Sequence, residues 1–414
     1  TVTVNGIEFK QEFTVTVLGF TSAIDKFTAY ADGNAIKFTG GYSTDTPYNM
    51  YVAVYDSNER LVGTRTNTAE GSFEGLPNGE YKISCYIWNE QQKAMDDKVT
   101  KTVIIKSEFE TDAYLFAHFV GNEADASHEQ IYFSVSEDGQ NWTTLNDQKP
   151  VLTSTVGEQG VRDPYILRGE DGKFFIIATD LSIYNRQKRG EDAWSECQKS
   201  GSKSIVVWES TDLVNWEEAR LVEIAVNNAG CTWAPEAIYD PEKGMYMVFW
   251  ASKISDDNFS NQRMYKSYTI DFKTFTEPEI FIETDVSNID TTIIEHKGIY
   301  YRFTKNESNS SVIMEKSRFL DGQWSAVEGY NLGTMTGYEG PLIYKLNGED
   351  KWCLLLDAYA SRGGYKPFVT VDLESGVFTQ GSDFTFDGTY RHGTVMPITR
   401  AEYNRLIEAY GSAE

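Results

Sequence analysis

Apolar and polar residues alternate along much of the chain, and this period of two predicts β-strands rather than helices. The alternation is plainest in MYVAVY (50–55) and YKISCYIW (81–88), with turn signals such as Asp32-Gly33 between the runs. The pattern predicts a small immunoglobulin-like β-sandwich over residues 1–108. We interpret residues 1–18 as a pair of strands from the tail of a preceding domain.

From residue 113 onward an apolar and aromatic strand recurs five times, and each copy is followed by a second strand. The copies are YLFAHF (114–119), FFIIATD (174–180), YMVFWAS (246–252), YYRFTKN (300–306) and WCLLLDA (352–358). The second strands lead into a shared turn, seen in Ser136-x-Asp138 and Ser210-x-Asp212. Repeats of several strands at intervals of roughly 50 to 75 residues predict an all-β fold, a five-bladed β-propeller over residues 113–414.

Two segments depart from the strand pattern. Helical spacing occurs only in residues 400–410, where Thr399 can cap the helix. Residues 181–203 are polar and rich in Lys, Arg and Ser, so we predict a long loop near the ligand-binding face.

The composition narrows the choice of partners. A formal net charge of −25 over 414 residues argues against nucleic acid, because binding to phosphates depends on Lys and Arg. No run of 18 apolar residues is present, so we expect no membrane span. The four cysteines have no zinc-type spacing and imply no disulfide scaffold, although Cys197 and Cys231 could pair. We expect a monomer that acts on an oligo- or polysaccharide, and we interpret the chain as a processed or excised portion of a longer protein.

Three acidic residues each stand at the head of an apolar strand: Asp163 in GVRDPYIL, Asp290 in SNIDTTII and Glu339 in GYEGPLIY. A solvated turn is the ordinary explanation for a single Asp before a proline. Three solvated turns would not require the same position in the repeat. Because the innermost strands of a propeller send their ends to one face of a central channel, we predict that these carboxyl groups converge.

The motifs that carry these acids resemble glycoside hydrolase family 43. RDPYIL, TWAPEAIYD, NIDTTII, YEGPLIYK and RHGTV occur in the order expected of that family, over about residues 113–400. The resemblance implies a five-bladed propeller enzyme that acts with inversion, mostly on arabinose- and xylose-containing glycans. It implies Asp163 as the general base, Glu339 as the general acid, and Asp290 as the third acid, which orients Glu339 and favours its protonated form.

Inverting hydrolysis explains why carboxyl groups are needed. One carboxylic acid protonates the leaving oxygen, and one carboxylate deprotonates a water on the opposite face of the sugar. Because an isolated Glu is ionised near neutral pH, a second anion is needed nearby to keep the acid protonated. Glu236 stands where Asp is frequent in the family, and Thr291 where Pro is frequent, so the substrate stays open.

Four further residues are predicted to contact substrate: Trp233, Arg391, His118 and Lys305. Each also has a structural explanation: a blade contact for Trp233, an ion pair for Arg391, a core position for His118 and a solvated strand end for Lys305. The resemblance makes His392 a candidate ligand for a structural calcium or sodium ion in the channel. No DxDxDG-type loop supports a metal independently, and we expect no required cofactor.

The sequence supports one function over two alternatives. The first is a secreted or surface-displayed exo-acting α-L-arabinofuranosidase or β-xylosidase. The second is a carbohydrate-binding or adhesion protein without catalysis, which a missing acid would favour, although all three acids are present. The third is a sialidase, suggested by SEDGQNW (136–142), but no arginine cluster for a sialic carboxylate is recognisable.

Overall fold

The structure is a computed structural model that describes residues 2–4, 7–9, 26–40, 48–89, 94–106 and 110–411. The chain divides into two compact units, Thr1–Ser107 and Glu108–Glu414. Near the N-terminus, β1 (Val2–Val4) and β2 (Ile7–Phe9) form an antiparallel pair. The rest of the segment interpreted as the tail of a preceding domain lies outside the described residues.

The first unit contains two further antiparallel sheets around one core. Their strands are β3 (Thr28–Asp32), β4 (Ala35–Thr39), β5 (Tyr48–Asp56), β6 (Leu61–Thr66), β7 (Glu70–Phe73), β8 (Gly79–Asn89) and β9 (Ala94–Ile105). One sheet has the order β3-β4-β7 and the other β6-β5-β8-β9. Phe38, Val52 and Ile83 belong to a single hydrophobic cluster that both sheets contribute to. The alternation in the sequence therefore corresponds to one buried face on each sheet.

The second unit is built from five β-sheets. Its strands are β10 (Ala113–Phe119), β11 (Tyr132–Ser136), β12 (Asn141–Thr144), β13 (Val161–Arg168), β14 (Phe174–Asp180), β15 (Ser204–Ser210), β16 (Arg220–Glu223), β17 (Trp233–Asp240), β18 (Met245–Ser252), β19 (Arg263–Thr269), β20 (Glu279–Ile282), β21 (Asn288–His296), β22 (Ile299–Asn306), β23 (Ser311–Ser317), β24 (Ser325–Ala326), β25 (Glu339–Lys345), β26 (Trp352–Asp357), β27 (Tyr365–Thr370), β28 (Thr379–Gln380), β29 (Thr385–Phe386) and β30 (Arg391–Ile398). The mostly-β character predicted from the sequence is confirmed.

The sheets follow one another along the chain. Four of them have four strands each in chain order, beginning with β13, β17, β21 and β25. The remaining sheet has the order β29-β12-β11-β10-β30 and joins the start of the unit to its end. The first strands of successive sheets contact each other, and β30 contacts both β13 and β25. The first strands and β30 therefore bring residues that are far apart in sequence close together.

Four of the sheets share a turn in which a hydroxyl group and an aspartate brace the backbone. In each turn the hydroxyl oxygen accepts a hydrogen bond from the backbone N–H of an aspartate two residues later. The four pairs are Ser136 and Asp138, Ser210 and Asp212, Thr269 and Asp271, and Thr370 and Asp372. The first two are evident in the sequence, whereas threonine in place of serine obscures the other two.

Among the described residues of the second unit, α-helices form at two places. The first place contains α1 (Ile183–Lys188) and α2 (Ala193–Glu196). The second contains α3 (Arg400–Tyr410), which confirms the predicted C-terminal helix and begins with a capping box formed by Thr399 and Glu402. Helices α1 and α2 lie in segment 181–203, which was predicted to be a loop, and that prediction was wrong. The Ser182 side chain caps α1, and buried Glu129 accepts hydrogen bonds from the N–H groups of Ile183 and Tyr184. A capping group from a distant part of the chain left no local sequence signal.

The four cysteines are buried free thiols, so Cys197 and Cys231 do not pair. Among the described residues no helix is long and apolar enough to cross a membrane.

Candidate active site

Four first strands of the second unit share a kink near their beginning. The pairing register shifts at this point in β13, β17, β21 and β25. A residue with positive φ lies within each kink: Asp163 (φ 51°), Ala234 (48°), Asp290 (50°) and Gly340 (48°). Left-handed backbone is uncommon for residues other than glycine, and a bulge of this kind redirects the side chains around it. Two predicted acids thus occupy the kinks, and Glu339 immediately precedes the fourth kink.

His392 of β30 brings the first two acids together. Its Nδ1 lies 3.4 Å from Asp163 Oδ1 and 3.8 Å from Asp290 Oδ1. Burial by itself lowers the pKa of His392, but Asp290, Asp163 and Glu236 outweigh that effect and raise it to about 10. The imidazole is therefore protonated near neutral pH and compensates the charge of the carboxylates.

Asp163 is held as a carboxylate. Thr179 Oγ1 donates a hydrogen bond to Asp163 Oδ2 at 2.8 Å. Burial raises the pKa of Asp163, but the hydrogen bond and charge of His392, with Arg162 and Thr179, outweigh it and lower the pKa below its ordinary value. An ionised carboxylate is the form that a general base requires.

The pKa of Asp290 is shifted in the opposite direction to that of Asp163. Burial, together with the charges of Glu339 and Asp163, raises the pKa of Asp290 to about 6 even though His392 and Lys305 oppose the shift. Its Oδ2 accepts a hydrogen bond of 3.1 Å from the Gly340 backbone N–H. Asp290 therefore contacts the backbone beside Glu339 rather than the Glu339 carboxyl group.

Glu339 is held from both sides by cations. Lys305 Nζ donates to its Oε2 and Arg391 Nη2 donates to its Oε1, each at 2.9 Å. The Glu339 side chain retains 21% of its exposure, so it is open to solvent. Glu339 is therefore oriented by two charge-assisted hydrogen bonds.

The structure brings together five of the predicted site residues and His392, but not the other two. Asp163, Asp290, Glu339, Arg391, Lys305 and His392 are linked by the contacts just described. The partners of His118 are the Ser134 hydroxyl and the Phe119 carbonyl, and its ring stacks on Tyr390. These contacts put His118 in the core, where burial lowers its pKa to about 4. The prediction that His118 contacts substrate is therefore corrected: both of its ring nitrogens have hydrogen-bond partners, and the residue is 1% exposed.

Trp233 is half-buried at the start of β17, and packs against the apolar cluster that contains Ile183 and Cys197. It thus contacts the helical segment 181–203. Its predicted role in sugar binding stays a prediction.

Three polar residues to which the sequence analysis gave no role lie at the site: Thr179, Asp357 and Glu236. Thr179 and Asp357 occupy second strands and pair directly with the residues that enter the kinks, Arg162 and Glu339. Lys305 has the same position opposite Ile289. The signal was present as a polar residue at the end of each repeated strand, but the register was needed to recognise it. Glu236 lies instead on the first strand β17, where it is buried, and burial raises its pKa to about 8.

The metal ion suggested for His392 has little support from this arrangement. Within the described part of the chain, no group of three or more His, Cys, Asp and Glu side chains is placed to hold a metal ion. His392 Nδ1 faces the carboxylates of Asp163 and Asp290. The residues present do not fit a metal at this nitrogen, and a calcium or sodium ion stays a prediction.

A cavity of about 600 Å³ lies away from these acids. It is lined by the end of β25 and the hairpin that follows, including Lys345 and Asn347, and by Val395 and Pro397 of β30. The three acids instead lie at the beginnings of their strands, so this cavity is not the candidate active site.

Glycoside hydrolases act through paired carboxyl groups, and the linked acids Asp163, Asp290 and Glu339 are consistent with that class of protein. Residues 110–404 match the family model described as a probable glycosyl hydrolase domain, related to glycoside hydrolase family 43. The chain belongs to this family, and the resemblance seen in its motifs is confirmed.

One curated relative is an α-L-arabinofuranosidase from Bifidobacterium longum subsp. longum, 30% identical over 340 residues. The match covers 70% of this chain, which spans 31% of the length of the relative. A thermostable family-43 glycoside hydrolase is similar at 18% identity and a TM-score of 0.40, covering 58% of this chain and 77% of the other. An exo-β-1,3-galactanase from Phanerochaete chrysosporium matches at 15% identity and a TM-score of 0.40, covering 56% and 52%.

Proposed function

We propose that this protein is an inverting, exo-acting glycoside hydrolase that releases α-L-arabinofuranosyl units from arabinose- or xylose-containing plant polysaccharides. We further infer that its five sheets form a five-bladed β-propeller and that the first unit is an immunoglobulin-like sandwich. Contacts between successive first strands, and the sheet shared by β10 and β30, support the propeller.

The observation that carries the proposal is the linkage of three acids from three different sheets. His392 lies within 4 Å of both Asp163 and Asp290, and Asp290 accepts a hydrogen bond from the residue after Glu339. Asp163, ionised and oriented by Thr179, would take a proton from the attacking water. Glu339, the most exposed of the three acids, would donate a proton to the leaving oxygen. Asp290 would position the backbone of Glu339.

Support for a sugar substrate comes from the residue that precedes the proposed base. The Arg162 guanidinium lies 5.0 Å from the ring centroids of both Phe119 and Trp194. Trp194 belongs to α2 and is 45% exposed. An exposed indole ring beside the guanidinium of the residue before Asp163 offers an apolar surface on which a sugar ring can stack. Arabinofuranose is the first candidate because the curated relative is an α-L-arabinofuranosidase.

A substrate screen tests the proposal. Purified protein is incubated with aryl α-L-arabinofuranoside, β-D-xyloside and β-D-galactofuranoside, and with polymeric arabinan and xylan. We expect release of aglycone or sugar to be fastest from the arabinofuranoside. Glu339→Gln serves as the matched control because it keeps the side-chain volume and removes the transferable proton. Polysaccharide binding without hydrolysis of any substrate would instead favour the non-catalytic carbohydrate-binding alternative.

We also propose that the protein is secreted or displayed at the cell surface, where polysaccharide substrates are found, and that it acts as a monomer. Fractionation of the source cells and sedimentation of the purified chain test these two points. Recovery of the protein only from cytosol would contradict the first, and a concentration-independent dimer would contradict the second.

A further inference from the structure

Asp357 is the last residue of β26, and its side chain is completely buried. Its Oδ2 accepts a hydrogen bond from Arg391 Nε, whereas its Oδ1 is buried and has no hydrogen-bond partner among the described residues. A buried carboxylate oxygen without a hydrogen-bond partner is unfavourable for folding. Such a group in a folded protein calls for an explanation beyond packing.

Asp357 stands at one end of a row of alternating charges. Arg391 contacts Asp357 through Nε and Glu339 through Nη2. On the other side of Glu339, Lys305 Nζ contacts Glu339 at 2.9 Å and Glu307 Oε2 at 2.6 Å. Each cation that holds Glu339 is therefore backed by a second carboxylate.

This arrangement bears on the proton that Glu339 must carry. Lys305 and Arg391 both favour a negative charge on Glu339, which opposes the role of an acid. Asp357 and Glu307 add negative charge behind those cations, and Asp290 adds it near the Glu339 backbone. Anions near a carboxyl group favour its protonated form. Asp357 is the more effective of the two backing carboxylates because it is buried, whereas the Glu307 side chain is 45% exposed.

Asp357 also fixes the direction in which the Arg391 guanidinium donates to Glu339. A guanidinium group presents its donors in a rigid planar fork, so a hydrogen bond at Nε determines where Nη2 points. With Nε held by Asp357, Nη2 is directed at Glu339 Oε1. The register supports this pairing, since Asp357 lies directly opposite Glu339 on the neighbouring strand.

We propose that Asp357 is a positioning residue for the general acid: it fixes Arg391 against Glu339 and opposes the charge of that guanidinium, so that Glu339 carries the proton it donates to the leaving oxygen. The inference rests on the proposed function, because it assumes that Glu339 is the general acid.

Asp357→Asn is the test variant, because the amide keeps the size and an acceptor for Arg391 Nε but removes the negative charge. The dependence of kcat/KM on pH is measured with a dinitrophenyl glycoside, whose leaving group needs no proton, and with a phenyl glycoside, whose leaving group does. We expect the basic limb of the profile to move to lower pH by roughly one unit. We expect the phenyl substrate to lose about tenfold more activity than the dinitrophenyl substrate.

Two matched controls separate this role from a loss of folding. Asp240 is also buried, but lies at the far end of β17, so Asp240→Asn should change thermal stability without moving the pH profile. Glu307→Gln removes the other backing carboxylate and should shift the profile in the same direction by a smaller amount.

A second measurement does not depend on turnover. The protein is labelled with carboxyl-¹³C glutamate, the Glu339 signal is assigned by its loss in Glu339→Gln, and the signal is titrated. In Asp357→Asn we expect Glu339 to lose its proton at lower pH than in the wild type. An unchanged titration, or equal loss on both substrates without a shift of the basic limb, would overturn the proposal. A wild-type protein that cleaves no glycoside would contradict the proposed function, whereas the titration would still show whether Asp357 affects the protonation of Glu339.

Discussion

The beginnings of β13 and β17 have the same backbone but different chemistry. Each strand has a left-handed residue in its kink, followed by a proline, and each shifts register there. In β13 the kink residue is Asp163, and in β17 it is Ala234. A single hydroxyl group joins them, because Thr179 Oγ1 donates to Asp163 and accepts from the Ala234 N–H. The kink is therefore a feature of the fold, and the side chain within it determines whether that strand contributes an acid.

The two strands also hold carboxyl groups in opposite protonation states. In β13 the acid lies in the kink, where His392 and Thr179 stabilise its charge and its pKa is lowered. In β17 the acid is Glu236, two residues beyond the kink, where burial raises its pKa to about 8. A difference of two residues along the same kind of strand thus separates a carboxylate suited to a base from a carboxyl group that is neutral at pH 7.

The largest effect is expected when the kink of β13 loses its acid. Asp163→Ala gives β13 the methyl group that β17 already tolerates at φ 48°, so the fold should persist. We expect kcat to fall by about 10³-fold, because the attacking water loses its general base. Steady-state kinetics and thermal unfolding of the same preparation check both points. Ala234→Gly, which relaxes the equivalent kink without touching a carboxyl group, should leave kcat near the wild-type value. Near-normal turnover in Asp163→Ala would show that another acid is the base.

A smaller effect is expected when a methyl group is added to the fourth kink. In Gly340→Ala the new Cβ would lie 2.7 Å from His392 Cγ, and φ at this position is +48°. Strain and overpacking together should cost roughly 2–4 kcal/mol of unfolding free energy. Gly348→Ala is the matched control, since it has a similar φ of +70° and no atom within 4 Å of the added Cβ. Denaturant unfolding of both variants separates the contact with His392 from backbone strain, and equal losses would contradict the packing described for His392.

The smallest effect is expected from the neutral acid of β17 and depends on pH. The folded pKa of Glu236, about 8, lies above its ordinary value of 4.5, so its protonated form stabilises the fold below pH 4.5. That contribution is lost as pH rises from 4.5 through 8. Glu236→Gln cannot ionise, so we expect it to match the wild type near pH 4.5 and to be more stable at pH 6 by on the order of 2 kcal/mol. Unfolding curves at the two pH values test this, and a constant difference would show that Glu236 is ionised in the fold.

The sequence was sufficient to locate the acids at the strand beginnings but not the residues that support them. Asp163, Asp290 and Glu339 were recognisable because each begins a repeated apolar strand, and repetition is visible in sequence. Asp357 was hidden at the end of such a strand, because its importance follows from the register that places it opposite Glu339. Glu236 was noticed only as a departure from the family pattern, since burial cannot be judged from the letters around it.

The same limit explains the error in segment 181–203. Its helices are short, and N-terminal N–H groups of α1 are satisfied by Glu129, more than fifty residues earlier in the chain. Local propensity contains no information about such a partner. His118 was misjudged for a related reason: its position on a repeated strand suggested the channel, but stacking on Tyr390 and hydrogen bonding to Ser134 place it in the core.

The central claim is that acids from separate sheets act on opposite faces of one sugar, and the configuration of the first product tests it most directly. ¹H NMR spectra recorded during the first minutes of hydrolysis of an aryl α-L-arabinofuranoside resolve the two anomers before mutarotation mixes them. With Asp163 as base and Glu339 as acid, the β-anomer of arabinose should appear first. Initial appearance of the α-anomer would mean that a carboxylate attacks the sugar itself and would contradict the account.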